Sequence, residues 1–150
     1  MTDWNVFTSP APLINMASRS FARLGERRVK AHGFSIGQLP VLYLLKDGVA
    51  MSQKQLAQLV KIEQPSMAQM LARMERDGLI RRTPDPNDGR SSLISLTAAA
   101  LSRLPAAREA LSEGSGGALA GFSAEEVATL VSLLQRLNVN LDQLVADDLD

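Results

Sequence analysis

Residues 51–80 read MSQKQLAQLVKIEQPSMAQMLARMERDGLI, two helical patterns joined by three residues. Ser52 suits an N-cap, and Leu56, Leu59 and Val60 are expected to form the buried side of a short first helix. Lys61-Ile62-Glu63 makes a tight connection, after which Gln64-Pro65 opens a second helix with proline at a tolerated early position. That helix is expected to run to Asp77, where Gly78 closes it in a left-handed cap. The outline is helix-turn-helix.

The second of these helices has two different faces. Met67, Met70, Leu71 and Met74 follow i, i+3, i+4, i+7 and are expected to face the core, filling gaps rather than sensing oxidation. Opposite them stand Ser66, Gln69, Arg73 and Arg76. Hydroxyl and carboxamide groups can read base edges, and guanidinium groups can bind guanine or phosphate. An ordinary solvated face uses the same residue types, so the following segment has to decide.

That segment, residues 81–97, reads RRTPDPNDGRSSLISLT. A short strand is expected over Leu79–Thr83 and a partner over Ser91–Leu96, with Ser92, Ile94 and Leu96 on one face. PDPNDGR lies between them, and its prolines and Asp88-Gly89 predict a turn longer than the minimal two-residue hairpin. A helix-turn-helix followed by a two-stranded hairpin is a winged helix. Arg90, near the wing tip, would enter a minor groove, attracted by its negative potential, while the helix occupies the major groove.

Working outward, residues 10–31 place Leu13, Ile14, Ala17, Phe21, Leu24 and Ala31 near one helical stripe. Pro10 and Pro12 suit its start and Gly33 its end. A further helix is expected over Ile36–Lys46, with Pro40 in its first turn and Asp47-Gly48 as the stop. After Thr97 a helix from Ala98 to Ser112 is expected to kink or break at Pro105, and EGSGG at 113–117 should end it. Ser123-Ala124-Glu125-Glu126 forms a capping box. It opens a last helix whose Val127, Leu130, Leu133 or Leu134, Leu137, Leu141 and Leu144 make an apolar ridge, long enough to imply packing on another subunit.

Composition narrows the function classes. With six aromatic residues in 150, the core must rest on Leu, Ile, Val, Met and Ala, which favours helices. The absence of cysteine excludes thiol redox sensing and disulfides and fits a reducing cytoplasm. MTDWNVFTSPAP is not a signal peptide, and no apolar run could span a bilayer, so a soluble cytoplasmic protein without membrane contact is expected. The formal charge is zero, but residues 1–34 carry +3, residues 35–97 carry +2 and residues 98–150 carry −5. A cationic face toward an anionic partner is implied.

Enzyme chemistry finds no foothold. His32 is the sole histidine, at an expected helix end, so neither a zinc site of N and S ligands nor a histidine- or cysteine-based triad can be assembled. GSGG at 114–117 has no strand before it and no lysine after it, unlike a phosphate-binding loop. No catalytic residue, metal or cofactor is expected.

Taken together, IEQPSMAQMLARMERDGLIRR and DPNDGRSSLISLT resemble the MarR family of winged-helix transcriptional regulators, and the IEQPS entry resembles its SlyA branch. The resemblance rests on Met74-Glu75 with Gly78-Leu79-Ile80 at the helix exit, Asp88 and Arg90 in the wing, and Leu96-Thr97. It is strongest over residues 35–97 and covers most of the chain. It implies a mainly α fold with a winged helix-turn-helix DNA-binding lobe over 35–97, its wing two-stranded. Residues 1–34 and 98–150 would form an all-helical dimerisation lobe, with Leu13, Phe21, Leu130, Leu134, Leu137 and Leu141 in the dimer contact.

The implied function is a homodimeric repressor on the double-stranded DNA of a palindromic operator. Carried over by position, Arg90 would be the minor-groove arginine and Asp88 would hold the wing in shape. Gln64, Pro65, Ser66, Gln69 and Arg73 would line the reading face, while Ser52 and Gln53 would approach phosphates. Many relatives bind a small organic effector, often phenolic or anionic, between the lobes, which lowers DNA affinity; Gln38 and Leu39 are the positions carried over for it. With thiol and metal sensing excluded, an organic effector or none remains. Gly89, where many relatives have a charged or bulky residue, and Pro105 depart from the family pattern. The rival reading is a winged helix used for protein contact without specific DNA binding; the polar reading face and Arg90 argue against it.

Overall fold

Proline sets where the first helix begins. Ser9 is extended (φ −103°, ψ 141°), and α1 runs Pro10–Lys30 with proline in its first turn, where a missing N–H is cheapest. Arg27, Arg28 and Lys30 occupy the last turn, complementing the helix dipole. Only Gly25 and Val29 of α1 are buried. Gly33, at φ +82°, reverses the chain in a conformation that disfavours a side chain. The reversal delivers Phe34 into the core, its N–H returning to the Val29 carbonyl at 3.2 Å. The computed structural model describes residues 4–149.

The expected helix over Ile36–Lys46 is in fact two short pieces. A single 3-10 turn, Ile36–Gln38, is closed by a capping box in which the Gln38 side chain accepts the Ser35 N–H at 2.9 Å. α2 then covers only Leu39–Leu44, with Pro40 in its first turn. Pro40 has no N–H to continue a helix from the preceding turn, which is why the first turn tightens before α2 starts. Gly48, at φ +79°, follows as the stop.

α3 is Gln53–Val60 and α4 is Gln64–Arg76. Their buried residues, Leu56 and Ala57 in α3 and Met67, Leu71 and Met74 in α4, join Val41, Leu42, Leu45, Ile94 and Ala107 in one core. Met70 packs against that core half-buried, so the apolar face of α4 read from the sequence is the face observed, whereas Leu59 of α3, expected on the buried side, is exposed and Ala57 is buried instead.

The sheet has one strand more than expected. β1 (Met51–Ser52), β2 (Ile80–Asp85) and β3 (Asp88–Leu96) lie antiparallel in the order β1-β3-β2. β1 pairs Met51 with Ile94 and Ser52 with Leu93. Two residues are too few for periodicity to betray a strand, and it exists only because β3 offers its second edge. The hairpin also departs from expectation: Asp85 pairs with Asp88, so Pro86-Asn87 is a two-residue loop. The Asp85 carboxylate accepts the Asn87 N–H at 2.9 Å, giving the turn a closure that does not use Asp88-Gly89.

α5, Ala98–Ala118, corrects two further expectations, for it passes through Pro105 without interruption and EGSGG is helical. Gly114 is buried under α1: a Cβ there would come within 2.8 Å of Arg28 Nε and 3.3 Å of Leu24 Cδ2. The glycine permits close approach of two helices rather than ending one. Arg28 reinforces the contact, donating to the Ala110 carbonyl at 3.3 Å and standing 3.7 Å from the Glu113 carboxylate.

The described residues fall into two compact units, dividing between Gly114 and Ser115. In the second, α6 (Ala124–Asp148) begins at the expected capping box: Ser123 Oγ accepts the Glu126 N–H at 3.1 Å, and Glu126 Oε1 accepts the Ser123 N–H at 3.0 Å. α6 has no buried residue. Leu130, Leu134 and Leu141 are exposed and Leu137 is half-buried. Among the described residues no helix is long and apolar enough to cross a membrane. The architecture is mainly α, a winged helix-turn-helix with long helices before and after it.

Candidate nucleic-acid interface

The turn between α3 and α4 is made by a residue in the left-handed region. Lys61 has φ 62° and ψ 43°, and the following Ile62 N–H returns to the Ala57 carbonyl at 3.0 Å. Ile62 then packs on the core, which pins the connection from below. α4 starts at Gln64-Pro65 and ends where the Leu79 N–H reaches the Met74 carbonyl at 2.8 Å around Gly78, at φ +73°. Both ends are thereby fixed relative to the core.

Fixing the ends fixes the outer face. Met67, Leu71 and Met74 are fully buried, and Ser66, Gln69, Arg73 and Arg76 are all exposed, as the spacing requires. The two arginines differ. Arg76 lies 3.5 Å from the Asp77 carboxylate, whereas Arg73 has no ion pair among the described residues. Arg82, on β2, is engaged by Glu75 at 3.5 Å. Arg73 is the uncommitted cation of the helix.

The wing is irregular where Arg90 sits. Pairing jumps from Pro84 with Ser92 to Asp85 with Asp88, so Gly89, Arg90 and Ser91 bulge from the ladder. Asp88 Oδ1 accepts the Arg90 N–H at 3.0 Å, and this bond holds the bulge. Arg90 is exposed, with no acid partner among the described residues. Gly89 has no positive φ, and a Cβ there would meet nothing within 4 Å, so its departure from the family pattern costs the wing no geometry.

Ser52 and Gln53 open α3 at the same end of the motif. The Ser52 hydroxyl is occupied as a cap, accepting the Gln55 N–H at 3.2 Å, while Gln55 Oε1 accepts the Ser52 N–H at 2.9 Å. Gln53 Nε2 donates to Gln64 Oε1 at 3.4 Å, which joins the first residues of α3 and α4.

Gln38 and Leu39 are placed apart. Gln38 lines a small hollow with Met70, Arg73 and Asp77, beside the outer face of α4. Leu39 lines a cavity of about 180 Å³ between α2 and α5, with Leu42, Tyr43, Leu104, Arg108 and Leu111. Lys46 caps its rim, its Nζ 4.2 Å from the centre of the Tyr43 ring and 3.3 Å from the Asp47 carboxylate. The α5 contribution was overlooked in the sequence, although Leu101, Leu104, Arg108 and Leu111 at i, i+3, i+7, i+10 would have disclosed it. Among the described residues no group of His, Cys, Asp or Glu could hold a metal ion.

The profile of the MarR family matches residues 34–92, from Phe34 into the second strand of the wing. The crystal structure of a probable transcriptional regulator from Pseudomonas aeruginosa is 30% identical, with a TM-score of 0.81 over 89% of this chain and 99% of that one. The chain belongs to the MarR family. It has the fold of the family's DNA-binding transcriptional regulators. A mutant MarR from E. coli, complexed with operator DNA, is 25% identical with a TM-score of 0.76, covering 83% of this chain and 90% of that one. The PcaV transcriptional regulator from Streptomyces coelicolor, in complex with its natural ligand, is also 25% identical, with a TM-score of 0.81 over 92% and 97% of the two chains.

Proposed function

We propose that this MarR-family chain is a homodimeric repressor that binds a palindromic operator and releases it on taking up a small organic ligand. One observation carries the DNA reading: an exposed row of Ser66, Gln69 and Arg73 stands over the fully buried Met67, Leu71 and Met74, with Arg90, exposed and without an acid partner among the described residues, on the wing that follows. Polar groups on a helix so firmly seated are pre-organised for base edges, and free guanidinium groups suit phosphates and a narrow minor groove. The operator complex of the E. coli MarR mutant supports it by analogy.

In this reading residues 35–97 bind DNA. Gln64, Pro65, Ser66, Gln69 and Arg73 line the reading face, Gln53 lies at its edge, and Asp88 presents Arg90. Residues 1–34 and 98–150 of two copies build the dimer. The support is unpartnered apolar surface: Leu13 and Phe21 are 44% and 46% exposed, and Leu130, Leu134 and Leu141 are all more than a third exposed. A helix that buries none of its leucines is poorly explained as a monomer's surface. The two reading helices would then stand about 34 Å apart, one turn of B-DNA.

The ligand would enter the cavity between α2 and α5, where Leu39, Leu42 and Leu104 supply an apolar floor and Lys46 and Arg108 a cationic rim. An aromatic or aliphatic acid fits that pairing of surfaces. PcaV, solved with its natural ligand, supports a ligand-responsive reading by analogy. Selection of bound fragments from random duplex DNA tests the proposal. An inverted repeat should be enriched, and failure to enrich any sequence at low ionic strength would overturn it.

A further inference from the structure

Pro105 stands inside an unbroken helix and has no N–H to give it. In an α-helix the carbonyl of residue i points at the N–H of residue i+4, so Pro105 leaves the Leu101 carbonyl without its helical donor. Leu101 and Pro105 both line a cavity of about 410 Å³ between α5 and Lys46-Asp47, just past the end of α2. The acceptor released by the proline therefore lies on the face of α5 that the cavity occupies. A volume of that order is within the range of small-molecule sites.

This cavity adjoins the apolar one beside Leu39. Lys46, Leu104 and Arg108 line both, so the two are compartments with a common wall. The inner compartment is walled by Leu39, Leu42, Ala107 and Leu111. The outer one adds Asp47 and Glu109, which together with the Leu101 carbonyl are acceptors. Of the two shared cations, Lys46 is engaged by the Asp47 carboxylate at 3.3 Å and by the Tyr43 ring. Neither Arg108 nor Glu109 has an ion pair among the described residues. Arg108 follows Pro105 by three residues, about 4.5 Å of helix rise. An anion-binding guanidinium and a cation-binding carbonyl at that spacing suit a carboxylate and an amine borne on one carbon atom.

We propose that the two compartments form one site for an α-amino acid with an apolar side chain. The side chain fills the inner compartment, Arg108 takes the carboxylate, and the Leu101 carbonyl and Glu109 take the ammonium group. This inference rests on the ligand-responsive function proposed above and names the class of its ligand, an acid that also carries an amine.

Isothermal titration calorimetry on the full-length protein compares L-leucine and L-phenylalanine with 4-methylpentanoate and 3-phenylpropanoate, which lack only the amine. Phenethylamine, which lacks only the carboxylate of phenylalanine, completes the set. At least one amino acid should bind about tenfold tighter than its deaminated acid, the scale of one hydrogen bond to a charged group. Pro105→Ala is the decisive variant. It restores the N–H that engages the Leu101 carbonyl and favours the helix, so a purely structural role for Pro105 predicts no loss of binding. It should instead remove most of the amino acid's advantage while leaving the deaminated acid unaffected, and Glu109→Gln should act in the same direction. Arg108→Gln should weaken amino acid and deaminated acid alike.

The inference is overturned if the deaminated acids bind as tightly as the amino acids, if Pro105→Ala leaves their ratio unchanged, or if neither amino acid binds. Release of the selected duplex is followed with the same compounds. Deaminated acids that release it without help from an amine would keep the ligand-responsive function and strike the amino-acid assignment alone. No binding and no release by any of the compounds would remove the cavity as a ligand site altogether.

Discussion

The Thr97 hydroxyl donates to the Gly78 carbonyl at 2.7 Å and accepts the Ala100 N–H at 3.2 Å, so one side chain ties the exit of α4 to the first turn of α5. The Thr97 N–H adds a bond to the Leu79 carbonyl at 3.0 Å. Thr97→Val keeps the shape and removes every bond of the hydroxyl, including a longer one to the Leu79 carbonyl at 3.4 Å. A lost cap and a lost hydrogen bond together should cost about 1–2 kcal/mol in denaturant unfolding, with Thr97→Ser close to wild type.

Arg90 has no acid partner among the described residues and stands on a bulge held by Asp88. On the proposed reading its side chain supplies charge to the duplex rather than base recognition. Arg90→Ala should weaken binding across sequences and make the slope of log affinity against log salt shallower by about one. Fluorescence anisotropy titrations over a salt series measure both. Unchanged affinity and slope would refute the role given to the wing.

Gln69 and Arg73 lie on the exposed row of α4, where the proposal places base contacts. Replacing either with alanine should cost about 1–3 kcal/mol on the selected site and much less on unrelated duplex. Competition titrations against nonspecific DNA separate the two. Equal losses on both duplexes would reduce these residues to phosphate contacts.

Leu137 sits half-buried on the ridge of α6 between the more exposed Leu134 and Leu141. Leu137→Asp should shift sedimentation from dimer toward monomer or lower the melting temperature of the helical part. A charge in an apolar interface admits few other outcomes. A dimer of unaltered stability would remove Leu137 from the interface.

Much of this was legible in the sequence because the deciding signals are local. The α4 face followed from four apolar positions at helical spacing, and its ends from Pro65 and Gly78, so Met67, Leu71 and Met74 fell where expected. The caps at Ser52 and Ser123 were likewise short-range facts. What escaped was set by distant partners. β1 needs β3, the helical path through Gly114 needs Arg28 and Leu24 from α1, and the α2–α5 cavity needs both of its walls. The two-residue loop at Pro86-Asn87 was obscured because Asp88-Gly89 is the stronger turn signal, and the Asp85 carboxylate closed the turn earlier. The Gln53–Gln64 bond joins residues eleven apart, and no periodicity reports it.

The central claim is that two copies of α4 and the wing engage one duplex together. Hydroxyl-radical footprinting of the wild-type protein on its selected duplex tests it most directly. The account predicts two symmetric protected segments about 34 Å apart along the helix axis, each flanked by minor-groove protection that Arg90→Ala removes. A single unsymmetrical footprint, or protection indifferent to Arg90, would contradict it.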